Sequence, residues 1–437
     1  MENATSVLLD LPGFRVVEVR RVEDETVVED RRLVVVETVE PVRGCPECGV
    51  LASEVHDRPR VQVKDLPVGS GRLRLVWRKR RYRCAEPLCP RRSFTEINSS
   101  VPGRARLTQR LRERLATAVG TSNRAVSDVA REYGVAWWTV QRAVVAELAR
   151  RLPAPQPTTV IGIDETRARS VRWLVEDAPD GRVWRRSDPW MTSIVDLDPT
   201  HPRGILGLAP GRSGACVEAW LALQTSAFRA TITTVAIDPS APYASGIRRS
   251  LPGVRIVVDH WHVVRLANQM VTDVRQRVQR ETHDRRGRKT DPAWAHRRLL
   301  LRAGDTLSPR ALARLRRVLA SDDPTNEIGA AWGCKELLRQ LLATTGPAYS
   351  RHLVAHRLHR FLAACADAAM PETTRLVSTI EAWWTEIEGF LELGLTNART
   401  EGYNRVIKQV KRVGCGFRNQ THYEQRIMLH IAVTQAA

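Results

Sequence analysis

Three acidic residues in this chain stand where a carboxylate can do chemistry. Asp164 closes the apolar run Thr159-Val160-Ile161-Gly162-Ile163, and Asp238 closes a second, Thr233-Thr234-Val235-Ala236-Ile237. Glu401 lies far downstream, at the head of the basic stretch 397–405. An aspartate at the end of an apolar strand projects at the carboxyl edge of a sheet, where α/β folds commonly place their active sites. Two such strands and a helix can gather three carboxylates around hard cations. A pair of cations roughly 3.5–4 Å apart activates an attacking oxygen and stabilises a leaving one in an in-line displacement. Magnesium, or manganese in its place, suits oxygen ligands of this kind. Each acid also has a plainer reading. Asp164 can cap a helix or sit in a turn, Asp238 precedes Pro239-Ser240 and can open a turn, and Glu401 can answer a helix macrodipole.

Other acids compete for the same role. Glu165 adjoins Asp164, and side-chain alternation in an extended chain points it the opposite way. Asp259 ends the run 254–258 and precedes His260-Trp261-His262. It ranks below Asp238 as a ligand, and the two histidines read as positioning groups. Asp196, after Ser193-Ile194-Val195, reads as an edge residue. If 400–411 is helical, Glu401, Asn404 or Arg405, and Lys408 share one face, which sets a ligand, a polar group and a cation towards a phosphate.

Cys45 and Cys48 form a C-x2-C knuckle followed by Gly49, and Cys84 and Cys89 form a C-x4-C pair. Thiolates from two such turns can surround one zinc tetrahedrally. The long separation of the pairs demands a β-hairpin between them, with the run 73–78 as one arm. Four cysteines leave no open coordination position, so the zinc is expected to be structural. His56 is a weaker candidate and reads as a surface residue.

The remaining elements follow from pattern. Residues 7–40 alternate valines with charges, as strands do. Leu107, Leu111, Leu115 and Val119 recur at helical spacing. Residues 125–133, a Gly134-Val135 turn and residues 137–144 suit a helix–turn–helix whose second helix enters a DNA major groove. In that arrangement Trp138, Val140 and Val144 continue the apolar face, and Trp137, Thr139, Gln141 and Arg142 are exposed candidates for DNA contact. Prolines in 152–158 mark a linker. Strands are expected at 159–164, 190–196, 203–208, 232–237 and 255–259, and helices at 214–224 and 241–250. From His262 to about 395 the chain reads as helical, with Trp383-Trp384 in its core.

The 437 residues carry 68 Lys and Arg against 48 Asp and Glu, a net charge of +20. Such an excess points to a polyanionic partner, nucleic acid first. Between 265 and 317 fourteen arginines and one lysine face only five acids, so phosphate contact is expected there too. Lys408, Lys411, Arg412 and the glycine-rich 414–417 give a further basic surface. No apolar run reaches the roughly 20 residues that span a bilayer, and no secretory signal is visible. Eight cysteines, four of them in close pairs, fit a reducing cytoplasm with one metal site.

Taken in order, these motifs resemble bacterial insertion-sequence transposases of the DDE class, in the ISL-type group. The resemblance runs through the four cysteines and the helix–turn–helix to Ile161-Gly162-Ile163-Asp164-Glu165. It continues through residues 236–243, then Asp259-His260-Trp261-His262 and residues 396–404, and on into Ile407-Lys408 and 416–419. Trp261 stands where family members tend to have phenylalanine. The resemblance implies an α+β multidomain chain. An N-terminal β and zinc-binding module fills 1–100, and a helix–turn–helix fills 101–152. A ribonuclease-H-like α/β catalytic core begins at 153–264, a helical insertion follows at 265–395, and the core closes at 396–437 with the last carboxylate. It implies Asp164, Asp238 and Glu401 as the metal-binding catalytic triad, using magnesium or manganese. It also implies binding to terminal inverted repeats and target DNA, cleavage, and strand transfer; the basic residues Arg405, Lys408, Lys411 and Arg412, read from the helix face and the tail pattern, are expected beside the DNA. At least a homodimer is expected on DNA, in the cytoplasm at the nucleoid. The rival readings are a metal-dependent nuclease that cuts without joining, and a regulator whose core is inactive.

Overall fold

A computed structural model of the chain describes residues 4–22, 31–68, 72–152, 156–200 and 204–435. The chain divides into two compact units, Met1–Pro153 with Val410–Ala437, and Ala154–Gln409.

The first unit opens with a four-stranded sheet in the order Phe14–Val22, Arg31–Thr38, Arg72–Arg78, Arg60–Lys64. Arg31–Thr38 runs parallel to Arg72–Arg78, and the other pairs are antiparallel. Alternation sends Val34, Val36, Leu73, Leu75 and Trp77 to one face, where they pack with Phe14, Val16 and Val63. The valine-rich strands of 7–40 therefore build a core. Their expected start is too early, because Ala4–Leu9 is helical. Helices Gln109–Gly120, Val126–Glu132 and Trp137–Arg151 follow. Gly134, at φ +59°, makes the left-handed turn between the last two. Leu111, Leu115, Val119, Val129, Val140, Val144 and Leu148 form their core.

Two details differ from the sequence reading. Trp138 is 58% exposed, because the buried stripe of its helix falls on Val140, Ala143, Val144 and Leu148. The final helix, Gln420–Gln435, contributes Leu429 and Val433 to this same core. The reading of 396–437 as one catalytic-core segment thus meets a chain whose residues from Val410 onward belong to the first unit.

The second unit is built on a five-stranded sheet in the order Ile205–Pro210, Trp190–Asp196, Val160–Arg167, Thr234–Ile237, Arg255–Val258. The first three strands pair antiparallel, and the last two run parallel to Val160–Arg167. Helices Gly214–Ala222 and Ala241–Ser250 cover it, burying Val217, Leu221, Tyr243 and Ile247 against Ile161, Ile163, Val235 and Ile237. The expected strands are all present, with ends shifted by a few residues; position 203 and linker positions 153–155 lie outside the described residues. Two elements were not expected, the hairpin Trp173–Ala178 with Gly181–Arg186 and the helix Ser226–Thr231. The hairpin buries neither face, so its sequence carries no core-facing period.

From His260 to Leu393 the unit is helical. Arg277, one of the fourteen arginines, pairs with Glu327 and Glu372, each at 2.9 Å. Part of the arginine excess is thus balanced by acids more distant in sequence. Trp383 packs against the sheet's core cluster, as expected. Among the described residues no helix is long and apolar enough to cross a membrane.

Candidate functional site

Parallel pairing sets Ile163 beside Ile237, so Asp164 and Asp238 leave neighbouring strands at the same edge. A helix, Ala398–Val413, comes down on the central strand at Gly162. A β-carbon at Gly162 would lie 2.6 Å from Asn397 Oδ1 and 2.7 Å from Leu197 Cδ1, and closest of all to Thr400 Oγ1. Only glycine admits this approach, which carries Thr400 and its neighbour Glu401 to the sheet edge. Three hydrogen bonds fix the docking. Asn404 Nδ2 donates to Asp164 Oδ2 at 2.7 Å, Ser193 Oγ donates to Asn404 Oδ1 at 3.0 Å, and Asn397 Nδ2 donates to Ile163 O at 3.3 Å.

Both oxygens of Asp259 are engaged by backbone amides. Its carboxylate caps helix His260–His283 by accepting from Trp261 N at 2.9 Å, and it accepts from Asn397 N at 3.0 Å. This cap starts the helix that carries His262. His262 Nε2 lies 3.0 Å from Asp238 Oδ2 and 3.7 Å from Glu401 Oε1. Asn404 and His262 therefore join Asp164, Asp238 and Glu401 into one constellation. His260 stacks on Phe390 with ring centres 4.8 Å apart and lies beside Asp259, its Nδ1 3.4 Å from Asp259 Oδ1. Asp196 is buried and accepts from Thr158 Oγ1 at 2.6 Å, a structural bond.

The electrostatics are those of crowded negative charge. Burial, then repulsion from Asp238, pushes the Asp164 carboxyl up to about 7. Burial and Asp238 also raise Glu165, against the pull of Arg212. Alternation holds nonetheless: Glu165 meets Tyr243 on the face of Ile161 and Ile163, while Asp164 meets Asn404 on the face of Gly162. Both carboxyls feel Asp238 because pairing with Thr234–Ile237 stops at Ile163 and Asp238 sits just beyond it. Burial lowers His262, but its bond to Asp238 and the nearby negative charge outweigh that and raise it. Asp238 Oδ1 is buried without a hydrogen-bond partner. Among the described residues no lysine or arginine lies in ion-pair contact with Asp164, Asp238 or Glu401; His262 contacts Asp238 and Glu401. An orphaned carboxylate oxygen among uncompensated acids fits a hard cation.

The cysteines form a second, separate centre. The knuckle Cys45–Cys48 is closed by Gly49 N donating to Cys45 O at 2.8 Å, with Gly49 at φ +75°. Strand Arg72–Arg78 leads on to Arg81–Arg83, which pairs with Val55–Asp57 and Ser93–Thr95. Those pairings bring Cys84 and Cys89 to the knuckle. Cys45 and Cys89 sulfurs are 3.9 Å apart, Cys48 and Cys84 sulfurs 3.5 Å, and all four lie within 4.8 Å of one another. Zinc–sulfur bonds of about 2.3 Å in a tetrahedron require sulfur–sulfur edges of about 3.8 Å, so the set fits structural zinc. His56 is exposed and outside the cluster. Among the described residues this is the one such group drawn that tightly; the three carboxylates stand more widely spaced.

Of the expected DNA-contacting side chains, Trp137, Trp138, Arg142, Arg405, Lys408 and Arg412 are exposed, and Thr139 and Lys411 are half-buried. Gln141 is not exposed. It is 4% accessible and its Nε2 donates to Gln425 Oε1 at 2.9 Å, because the final helix covers that face. Asn404 was recognisable as a polar neighbour of Glu401, but its hold on Asp164 was not. The role of Gly162 was carried by no local signal.

These features coincide with known families. The model of the ISL3 transposases, described as a transposase, matches residues 161–427. A zinc finger of the transposases of IS204, IS1001, IS1096 and IS1165 matches 41–89, and the helix–turn–helix domain of transposase family ISL3 matches 96–147. The chain belongs to the ISL3 family of insertion-sequence transposases. It is 25% identical over 384 residues to the transposase for IS1001 of Bordetella parapertussis, covering 88% of this chain and 87% of that one. It is 25% identical over 341 residues to the transposase for IS1557 of Mycobacterium tuberculosis, covering 72% and 69%. Among solved structures, the Drosophila P element transposase strand transfer complex aligns with a TM-score of 0.41 at 8% identity, covering 77% of this chain and 92% of that one.

Proposed function

We propose that this transposase binds the terminal inverted repeats of its insertion sequence and performs metal-assisted phosphodiester cleavage followed by strand transfer. In this reading the five-stranded unit is a ribonuclease-H-like core, the helices between His260 and Leu393 interrupt it, and Asp164, Asp238 and Glu401 are its catalytic carboxylates. The observation that carries the reading is the convergence at one sheet edge: Asn404 ties the Glu401 helix to Asp164, and His262 reaches both Asp238 and Glu401. Magnesium or manganese held by these three carboxylates would supply charge stabilisation to the attacking and leaving oxygens of an in-line displacement.

The chain's own residues prepare that site. Asn404 and the Glu165 amide, donating to Asp164 at 2.7 Å each, hold both of its oxygens in place. His262 steadies Asp238 through Oδ2 and leaves Oδ1 for a ligand role. Exposed Arg405 and Lys408, on the same helix as Glu401, offer cations to flanking phosphates. Water, then a freed 3′-hydroxyl, act as nucleophiles, and no covalent protein–DNA intermediate is required. The helix–turn–helix, through Trp137, Thr139 and Arg142, supplies specific end binding. Two ends must be paired, so a homodimer assembles on DNA.

The test is Asp164→Asn with duplex DNA carrying the element's ends. Cleavage is lost and end binding stays close to wild type; joint loss of both would mark a folding role instead. A strand-transfer assay on pre-cleaved ends separates a transposase from a nuclease, because a nuclease yields no joined product.

A further inference from the structure

Around the amino end of helix Trp137–Arg151 lies a cavity of about 420 Å³, lined among others by Trp137, Trp138, Phe417, Asn419, His422 and Arg426. That volume is within the range of small-molecule sites, roughly 300–1,000 Å³. Its walls combine two properties. One is aromatic: Trp137 and Trp138 meet edge to face at 4.9 Å, and His422 lies 5.3 and 5.4 Å from them. Trp138 nevertheless leaves 58% of its surface open.

The other property is a buried, under-used cation. Arg426 is 3% accessible. Its Nη2 donates to Asn123 Oδ1 and to Arg124 O, each at 2.9 Å, which fixes the guanidinium plane. Its Nη1 is buried and has no partner. Among the described residues no carboxylate pairs with Arg426. Burial lowers its pKa to about 10, so it stays charged at neutral pH. A buried donor left unsatisfied is costly, and such a group calls for an acceptor from outside.

We infer that this cavity receives one unstacked DNA base that offers a carbonyl oxygen, with Trp138 stacking on its face and Arg426 Nη1 donating to the carbonyl. An apolar ligand would leave the guanidinium unpaired, and a bare phosphate would leave the tryptophan surface unused. A base satisfies both. The place also suits it, since the amino end of a recognition helix is where side chains meet base edges. The inference rests on the reading of the helix–turn–helix as a DNA-binding module.

The experiment uses the full-length protein and eight-nucleotide single strands that differ only at one central position: thymine, guanine, adenine or an abasic deoxyribose. Affinity is read by fluorescence anisotropy. Thymine and guanine strands should bind roughly tenfold more tightly than the abasic strand. Adenine, which has no carbonyl, should fall between. Trp138→Ala should bring all four to the abasic level. Arg426→Gln should abolish the preference for thymine and guanine over adenine; if that variant fails to fold, the exposed Trp138 carries the test alone. Equal binding of the thymine and abasic strands, or unchanged base preference in Trp138→Ala, overturns the pocket. A terminal-repeat duplex run alongside distinguishes the causes. Salt-sensitive duplex binding without dependence on the central base sinks the pocket only, and absence of duplex binding sinks the DNA reading beneath it.

Discussion

Gly162→Ala tests whether the contact between the central strand and the Glu401 helix sets the site. Taken alone, replacing a strand glycine removes freedom from the unfolded chain and stabilises by about 0.4–1 kcal/mol. Here the added carbon meets Asn397 Oδ1 at 2.6 Å and Leu197 Cδ1 at 2.7 Å, with Thr400 Oγ1 nearer still. Those distances are roughly 0.7–0.8 Å inside ordinary contact, a gap that packing forces resist steeply. The strand cannot yield, since Gly162 is paired to Val195 on one side and Ala236 on the other. The helix must move, and Glu401 moves with it. Overpacking costs about 1–3 kcal/mol, so the steric term wins. In a unit of this size the melting temperature should fall by roughly 2–10 °C. A catalytic group displaced by about 1 Å loses rate by about 10²-fold. The assay is single-turnover cleavage of an end duplex, with melting and end binding measured on the same sample. Adding Thr400→Ala deletes the nearest atom, which has no hydrogen-bond partner to lose, and should restore part of the rate. Wild-type cleavage and melting in Gly162→Ala would refute the claim that this contact positions Glu401.

The remaining predictions concern the metal centre and the carboxylates. Chelation of zinc, or Cys45→Ser, should cost the first unit its thermal transition and its end binding; metal analysis of the purified protein should give about one zinc per chain. Asp164 carries a pKa of about 7 in the cation-free fold against a usual 3.8. Between those values the folded chain holds a proton that the unfolded chain has released, so the cation-free protein should lose stability as pH rises from about 4 to about 7. Asp164→Asn should flatten that dependence. Melting curves of chelator-treated protein across that range decide it, and an unchanged slope in the variant counts against the raised pKa that burial and Asp238 give Asp164.

Much of the second unit was legible because its strands are buried on both faces and read as apolar runs ending in acids. Ile163 and Ile237 pair in register, so two runs found separately in the sequence do set their aspartates side by side. What escaped detection depends on partners far away in the chain. Gln141 looks exposed on its own helix, and only the docking of Gln420–Gln435 buries it. Local counting around Arg277 shows a surplus of charge that Glu327 and Glu372 cancel from outside the window. The hairpin Trp173–Ala178 and Gly181–Arg186 escaped for the opposite reason, since a ribbon with both faces open has no burial to imprint a period. Gly162 is invisible locally because its need for no side chain arises from residues 397 and 400.

The distribution of counter-charges gives the site its meaning. In a chain with 68 basic and 48 acidic residues, a buried acid has cationic partners in abundance. Glu372 and Glu386 find Arg277 and Arg248, and Asp65 finds Arg110. Asp164 and Asp238, among the described residues, meet no lysine or arginine, although burial and then the charge of Asp238 raise Asp164 to about 7. The fold supplies a histidine and an asparagine there instead, groups that orient carboxylates without discharging them. A guanidinium in that place would stabilise the cation-free protein and occupy the oxygens. Its absence from a chain this basic leaves the carboxylates costly to fold and open to a divalent ion, the combination expected where charge is kept for a ligand that arrives later.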